Sequence, residues 1–290
     1  MDNKSTTLSK DRLDVINKIK EYERLGLFNE DVEPDPPSRM IMPNEIDYLR
    51  KRPLSKIKSY FAYRGAKKFL NKLVKSKSLI VKEYKGVEHF SGLDCGAIIT
   101  CNHFNICDCF AMHLLYEQTG FKMRKRKIYR VIREGNYTLF DGLFGLLMRH
   151  FYTLPLSSNL QTMKKFKQSI KILLERKNFV LVYPEQSMWF NYRKPRPLKI
   201  GAFMFAAQNN APVLPCFITM KDTENVGVDG AYIQEYTIHV REPIYPDPEK
   251  NARENAQYMM DENYRVWKEI YEEEYGIPLV YDTESQPEPQ

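Results

Sequence analysis

The chain has 290 residues, of which 43% are hydrophobic and 28% charged, and its formal net charge is +7. These values fit one large or two small globular domains and exclude collagen-like and disordered chains. No apolar run approaches the roughly 20 residues that cross a bilayer, and residues 1–10 contain no apolar stretch typical of a signal peptide. The five cysteines do not resemble a secreted disulfide framework, so we expect a reduced, cytoplasmic protein.

The first quarter of the chain is predicted to be helical and basic. Apolar residues recur at helical spacing over residues 8–25, and the three prolines and four acids of residues 29–37 indicate a linker. A longer helical pattern starts at residue 44, with an interruption at Pro53, and its apolar stripe lies opposite a lysine-rich face. This helix could pack only on its own domain or also contact a membrane.

Basic residues are concentrated in two runs. No acid interrupts residues 50–77, and residues 122–127 form a second basic run, whereas the last predicted helix is acidic. This asymmetry indicates a basic face that meets an anionic surface, either a membrane or a nucleic acid.

From residue 79 onward, short β-branched runs alternate with helical stretches. Strands are predicted at residues 79–81, 97–100, 128–132, 179–183, 213–218 and 238–240, and the clearest helices at 107–119, 160–176, 197–209 and 251–275. The alternation predicts an α/β fold, a mostly parallel sheet flanked by helices and preceded by an N-terminal helical element. The predicted organisation is basic helices at 1–78, the α/β domain with its C-terminal helix at 79–281, and a disordered tail at 282–290.

A histidine and an aspartate follow the predicted strand at 97–100, in the segment His103-Phe104-Asn105-Ile106-Cys107-Asp108. On one ideal helix, positions five apart point roughly 140° away from each other, so the two side chains can meet only if His103 precedes the helix. Asn105 would then be the N-cap, with Asp108 at the third helical position. The carboxylate could orient the imidazole as a base, or it could merely cap the helix, and these residues alone leave both interpretations open.

A second candidate segment, Tyr183-Pro184-Glu185, follows the strand predicted at 179–183. Active sites of parallel sheets gather at the carboxyl ends of the strands. We therefore expect His103, Asp108 and Glu185 to form one site built from two segments.

The surroundings of these residues resemble the glycerolipid acyltransferase superfamily, whose prototype is 1-acylglycerol-3-phosphate acyltransferase. The first block of the family, N-H-x-x-x-x-D after a strand, matches Asn102, His103 and Asp108. The third block, F-P-E-G-T-R, is matched in part by Tyr183-Pro184-Glu185-Gln186-Ser187.

Two further blocks occur in the order that the family has. Lys199-Ile200-Gly201-Ala202, followed by Pro212-Val213-Leu214-Pro215, resembles the fourth block, a K-x-G-A helix and a P-V-type strand. Arg133-Glu134 and Gly145 stand where the second block has a basic–acidic pair and a glycine. The resemblance covers about residues 80–220, and four blocks in order are far more specific than one.

The resemblance implies an acyltransferase without a metal or cofactor. His103, oriented by Asp108, would deprotonate an acceptor hydroxyl that attacks an acyl thioester. The donor would be acyl-CoA or acyl carrier protein, and the acceptor a lysophospholipid or related lipid at the anionic inner face of the membrane. The substrate-binding residues that the resemblance implies are Asn102, Arg133, Glu185, Gln186, Ser187 and Lys199.

The chain departs from the family where the acceptor phosphate is bound. The second block often reads I-P-V-D-R, whereas this chain has Leu154-Pro155-Leu156-Ser157-Ser158, with serines in place of the aspartate and arginine. In the third block Gln186 replaces the glycine, and Met188 or Trp189 stands near the arginine position. A substitute cation could come from Arg193, Lys194 or Arg196, which could equally form a solvated basic loop.

Other functions compete with acyl transfer. A catalytically altered scaffold could bind a lipid or a partner without turnover, and the same base could activate water. A zinc site among the cysteines and histidines of residues 95–113 would lack paired C-x-x-C hooks. Nucleic-acid binding would lack a recognisable groove-reading or RNA-binding signature. The aromatic stretch at 140–152 could line an acyl tunnel or be a plain amphipathic helix.

Overall fold

A computed structural model describes residues 8–33, 36–123 and 125–284. The described helices are α1 (Lys10–Arg24), α2 (Pro53–Lys75), α3 (Val87–Ser91), α4 (Asp108–Gln118), α5 (Glu134–Thr138), α6 (Gly142–His150), α7 (Leu160–Glu175), α8 (Gly201–Ala207) and α9 (Ala252–Tyr275). The described strands are β1 (Ile80–Lys85), β2 (Ala97–Thr100), β3 (Ile128–Ile132), β4 (Thr153–Pro155), β5 (Phe179–Val182), β6 (Val213–Val226) and β7 (Tyr232–Val240).

The strands form one seven-stranded sheet in the order β1-β7-β6-β2-β5-β3-β4. Every neighbouring pair is parallel except β6 and β7, which form an antiparallel hairpin. This architecture confirms the predicted mostly parallel sheet with flanking helices and a helical N-terminal element.

Helices cover both faces of the sheet, so its central strands are buried on both sides. All four residues of β2 and all four of β5 are buried. Ile99 and Leu181 pack in one hydrophobic cluster with α2 and α4, whereas Ile98 and Val180 pack in another with α7, α8 and α9. Burial on two faces explains why these strands are continuous apolar runs instead of alternating patterns.

The second predicted helix begins later than its apolar pattern indicates. Residues 44–52 are irregular, and α2 starts at Pro53, in the first helical position that proline favours. The Asp47 carboxylate accepts the backbone N–H groups of Lys51 and Arg52, at 3.0 and 2.7 Å, just before the helix. Proline therefore begins this helix and does not interrupt it.

Three other details differ from the sequence prediction. The helix predicted at 197–209 is only Gly201–Ala207, and residues 197–200, which begin with Pro197, are irregular. The short strand β4 has no counterpart in the prediction, and β6 extends to Val226 in a long hairpin with β7. Of the predicted disordered tail, residues 285–290 lie outside the described residues. The Glu284 N–H donates to the carbonyl of Arg24, at 2.9 Å.

Candidate active site

The two segments singled out in the sequence lie side by side. β2 and β5 are adjacent parallel strands with Thr100 opposite Val182, so the loops that follow them leave the same edge of the sheet. The backbones of these loops are hydrogen-bonded: the Trp189 N–H donates to the His103 carbonyl at 3.2 Å, and the Asn191 N–H to the Phe104 carbonyl at 2.9 Å. The loops therefore form one surface at the carboxyl edge of the sheet.

His103 and Asp108 are in direct contact across the start of α4. His103 Nδ1 lies 2.6 Å from Asp108 Oδ2, and the same oxygen accepts the N–H groups of Phe104 and Asn105 at 3.3 and 3.4 Å. The Asp108 side chain is 2% exposed, whereas that of His103 is 24% exposed. The carboxylate thus fixes the imidazole from the protein side and leaves the ring open on the other.

The imidazole is further held by Tyr183, a residue of the second candidate segment to which the sequence assigned no role of its own. The His103 ring stacks on Tyr183 with a centroid separation of 4.4 Å and an interplanar angle of 23°. Burial, and then the charge of Asp108, raises the pKa of Tyr183 well above its usual range, so this tyrosine stays protonated. Among the described residues, no group hydrogen-bonds His103 Nε2. With Nδ1–H donated to Asp108, Nε2 carries the free lone pair.

The predicted cap of α4 is wrong by two residues. Cys107 is the N-cap and Asp108 is the first helical residue, whereas the sequence placed Asn105 at the cap and Asp108 at the third position. Asn105 instead holds the turn, because its Oδ1 accepts the Cys107 N–H at 3.0 Å. This turn, between His103 and the start of α4, brings the Asp108 carboxylate back to the His103 imidazole.

Glu185 lies beneath the site in a buried ion pair. Its carboxylate accepts the His103 N–H at 2.9 Å, the Arg196 N–H at 2.7 Å and the Arg196 guanidinium at 3.2 Å. Arg196 also donates to Ser187 Oγ at 2.7 Å, and the side chains of Glu185 and Arg196 are 2% and 1% exposed. Glu185 therefore connects the two loops through the His103 N–H, whereas Ser187 holds Arg196 within the loop that follows β5.

The other predicted substrate-binding residues have separate surroundings. The Asn102 side-chain amide bonds both the N–H and the carbonyl of Ile218, at 2.8 and 3.0 Å, and is buried between β2 and β6. Gln186 is exposed and has φ of 65°, the left-handed region that favours the glycine of the family block, at a cost of about 1 kcal/mol. Lys199 is half-buried beside it, and its N–H donates to the Pro184 carbonyl.

The cations considered as substitutes for the missing arginine each have a carboxylate partner. Arg193 lies 2.9 Å from Asp222, Lys194 lies 2.6 Å from Glu23, and Arg196 is the partner of Glu185. Arg133, from the second block, forms a two-pronged pair with Asp31, at 2.7 and 2.8 Å. An anionic acceptor would compete with an internal carboxylate at each of these cations.

Ser157 and Ser158, the serines that differ from the second block of the family, both hydrogen-bond Glu134. The hydroxyls of Ser157 and Ser158 donate to the two carboxylate oxygens of Glu134, at 2.7 and 2.9 Å. Glu134 also accepts the Ile41 N–H at 2.7 Å, and these hydrogen bonds lower the pKa of its carboxyl although burial opposes them. The two serines therefore bind a carboxylate that comes from the end of β3.

A buried arginine lies behind the site, where the sequence showed only a charge within an apolar strand. Arg130 in β3 is 3% exposed, and its guanidinium lies 3.0 Å from His113 Nδ1. Burial, and then the charge of Arg130, lowers the pKa of His113 to about 2, so His113 is a neutral acceptor. Among the described residues, no carboxylate forms an ion pair with Arg130.

The cysteines near the site are apolar packing residues. All five are free, and burial raises the pKa of Cys107 to about 11 and of Cys109 to about 12, so neither is a thiolate at neutral pH. Within the described residues, no three His, Cys, Asp or Glu side chains are grouped closely enough to hold a metal ion. The helices of the described ranges include none with the length and apolarity that a bilayer span requires.

Residues 81–219 match the family model described as Acyltransferase. No curated protein matches the chain in sequence. Among solved structures, the 1-acyl-sn-glycerophosphate (LPA) acyltransferase, PlsC, from Thermotoga maritima is similar to the chain, with 17% identity and a TM-score of 0.47. The match covers 77% of this chain and 85% of that one. The family match includes both loops that form the site.

Proposed function

We propose, because residues 81–219 match the Acyltransferase family model, that the protein moves a fatty acyl group from a thioester donor to a lipid hydroxyl. The observation that carries this proposal is the 2.6 Å contact between His103 Nδ1 and Asp108 Oδ2, with Nε2 on the accessible side of the ring. A histidine with one ring nitrogen hydrogen-bonded to a carboxylate and the other nitrogen without a partner has the arrangement of a general base.

The proton has a complete path in this arrangement. Nε2 of His103 takes the proton of the acceptor hydroxyl while its oxygen attacks the thioester carbonyl. Asp108 stabilises the resulting imidazolium. When the tetrahedral intermediate collapses, the C–S bond breaks and His103 returns the proton to the thiolate. A base of this kind contributes roughly 100- to 10,000-fold, and juxtaposition of the two substrates supplies the rest.

The surrounding residues divide into positioning and binding roles. Asn102, Glu185 and Ser187 are buried, and their side chains bind other protein groups, so we assign them to positioning. Gln186 and Lys199 are accessible at the same edge of the sheet, and we assign them to substrate contact. Arg133 would contact an anionic acceptor if the acceptor displaced Asp31. The donor is acyl-CoA or acyl carrier protein, and the acceptor is a lysophospholipid or related lipid.

We further propose that the protein works at the anionic inner face of a membrane, as a cytoplasmic, peripherally associated enzyme. Lys68, Lys72 and Lys75 are exposed on α2, whereas the charge of Lys67 is paired with Glu117. Ile106, three residues after His103, is 60% exposed. Basic residues near an apolar surface suit contact with anionic lipid.

The alternative function is an altered scaffold that binds a lipid or a partner without turnover. It is favoured by one observation, the two serines that bind Glu134 where the family has an aspartate and an arginine. The experiment that tests the main proposal also distinguishes acyl transfer from binding without turnover.

The experiment supplies the protein with labelled acyl-CoA or acyl carrier protein and a panel of lysolipids that includes phosphate-free acceptors. We expect label in a lipid with the native chain, and at least about a 100-fold lower rate with His103→Ala or Asp108→Asn. The matched control is His89→Ala, which removes a histidine of α3 outside the site. Circular dichroism and thermal melting should show that all variants are folded.

The possible outcomes are distinct. Transfer by His103→Ala at the native rate would remove His103 from the mechanism. Loss of thioester without acylated lipid would indicate hydrolysis. Donor or lipid that binds without any turnover, in the native chain as in the variants, would support the altered scaffold.

A further inference from the structure

A cavity of about 560 Å³ lies at the opposite edge of the sheet from His103. Its lining includes Lys127, Tyr152 and Asn178, which directly precede β3, β4 and β5, and it is covered by the first half of α2. Asn178 and Tyr183 stand at the two ends of β5, five residues apart, which separates this cavity from the His103 ring by roughly 16 Å. Its volume is in the range of ligand-binding cavities.

The two basic runs of the sequence converge on this cavity. Its five basic lining residues are Arg50, Lys56, Lys125, Lys127 and Arg176, and none of the described residues that line it is an aspartate or glutamate. In the described part of the chain, no carboxylate pairs with Lys56, Lys125, Lys127 or Arg176 within 4.0 Å. Uncompensated like charges repel one another, so this basic cavity is arranged for an anion with more than one negative charge.

Arg50 is fixed in the wall of the basic cavity. It is 8% exposed, and its guanidinium donates to Ser59 Oγ at 3.1 Å and to the Thr153 carbonyl at 3.0 Å. Its φ is 54°, and Lys125 and Tyr152, also in the lining, have φ of 57° and 49°. Glycine would relieve the strain at these left-handed positions, whereas the chain places two cations and a tyrosine there.

Tyrosines complete the lining with hydrogen-bond donors. Burial raises the pKa of Tyr129 to about 12, so its hydroxyl stays protonated. The Tyr63 hydroxyl is buried and has no hydrogen-bond partner among the described residues. Lys127 Nζ lies 4.7 Å from the centre of the Tyr152 ring. One fixed guanidinium, several exposed cations and protonated hydroxyls together match the oxygens of a phosphate group.

The rim of the basic cavity indicates where that phosphate comes from. Tyr60 lines the cavity, is 56% exposed, and contacts Phe61 with ring centroids 5.6 Å apart. On the adjoining face of α2, Leu54, Ile57 and Phe61 are 61%, 53% and 59% exposed. An exposed apolar helix face beside a cationic cavity suits a lipid, with the helix in the bilayer interface and the headgroup in the cavity.

We propose that the basic cavity is an accessory binding site for the phosphate monoester headgroup of an anionic membrane lipid, separate from the acyl-transfer site. A phosphate monoester carries about −1.5 to −2 charges at pH 7, more than the single charge of a phosphodiester. The site therefore selects among anionic lipids by headgroup charge and size. This proposal does not depend on acyl transfer.

The test compares two triple variants with equal loss of charge. The first, Lys56→Gln/Lys127→Gln/Arg176→Gln, removes exposed cations of the cavity, and the control, Lys20→Gln/Lys164→Gln/Lys167→Gln, removes exposed lysines outside its lining. Binding is measured to phosphatidylcholine vesicles that contain phosphatidic acid or phosphatidylglycerol at matched total charge. Inorganic pyrophosphate is the soluble competitor, and His103→Ala is measured alongside.

The native chain should prefer phosphatidic acid vesicles and release them on addition of pyrophosphate. The cavity variant should lose this preference by at least about tenfold, because its side chains no longer attract the more highly charged phosphate monoester. The control variant and His103→Ala should keep it. Equal preference in the two triple variants would overturn the proposal. Pyrophosphate binding that depends on the cavity while vesicle binding does not would overturn the lipid source and assign the site to a soluble phosphate compound.

Discussion

Asp108 shows how one carboxylate serves two purposes that the sequence presented as alternatives. Its Oδ2 faces His103 Nδ1 and also accepts two backbone N–H groups of the turn before α4. A negative charge in the first turn of a helix is also favoured by the helix dipole. Holding the turn and orienting the His103 imidazole are therefore the work of one carboxylate, so a substitution that removes one also removes the other.

At the scale of single residues, Glu185 gives a prediction about stability. Glu185→Ala leaves the Arg196 guanidinium buried without its carboxylate partner, so we expect the free energy of unfolding to fall by about 3–5 kcal/mol. The double variant Glu185→Leu/Arg196→Met removes both charges and should be less destabilised than the single variant. Chemical denaturation measures both values. A single variant that loses under about 1 kcal/mol would contradict a structural role for the pair.

At the scale of elements, α2 combines three surfaces. Ala62, Ala66 and Leu70 are buried against the domain, the first half of the helix covers the basic cavity, and exposed lysines occupy its second half. The amphipathic pattern shows only that one face is apolar. Which of the polar positions are free depends on partners from other elements, as with Lys67 and Glu117.

The exposed lysines of α2 give a prediction about membrane binding. Lys68→Gln/Lys72→Gln/Lys75→Gln should weaken binding to phosphatidylglycerol vesicles by about 1 kcal/mol per lysine, and the difference should shrink at high salt. Co-sedimentation with vesicles measures this change. The control is again Lys20→Gln/Lys164→Gln/Lys167→Gln. Equal binding by the two triple variants would mean that the second half of α2 serves packing alone.

At the scale of the whole molecule, the N-terminal segment is part of the site's support. Phe28 packs on Trp189 with ring centroids 5.9 Å apart, and the Trp189 indole donates to the Glu30 carbonyl at 3.1 Å. Arg196 donates to the Phe28 carbonyl at 3.3 Å, and Lys194 pairs with Glu23. Glu30, which the sequence placed in a linker, and residues that precede it therefore contact the loop that carries Glu185.

We therefore expect deletion of residues 1–33 to impair the site while the sheet remains folded. The two main hydrophobic clusters of the domain include no described residue from 8–33, so we expect a cooperative melting transition to remain. Acyl transfer should fall by about tenfold or more, because small displacements of catalytic groups are costly. Fluorine NMR of fluorotryptophan-labelled protein should show the Trp189 resonance shifting while Trp267, a buried residue of α9, serves as the internal reference. An unshifted Trp189 resonance with full activity would contradict this support.

Much of the architecture could be predicted because it depends on local patterns. The alternation of apolar runs and helical stretches identified most of the strands that pair in the sheet, and the family match confirms the resemblance carried by the four blocks. Helix ends were predicted less well. Asp47 holds the N–H groups just before α2, and Asn105 holds the turn before α4, through side-chain hydrogen bonds that periodicity does not describe.

The sequence by itself determined the α/β class, because alternating apolar runs and helical stretches are local patterns, and it restricted contact between His103 and Asp108 to the case in which His103 precedes the helix. Only the tertiary structure decided which charged side chains are paired within the protein and which are available to bind a ligand. In the folded chain Arg196 forms an ion pair with Glu185, and Ser157 and Ser158 donate hydrogen bonds to Glu134. Residues from two separate basic runs line one cavity. The physical reason is that a buried charge binds the polar or oppositely charged group that packs against it. Which group that is depends on how separate strands and loops fold together, and no local sequence pattern describes it.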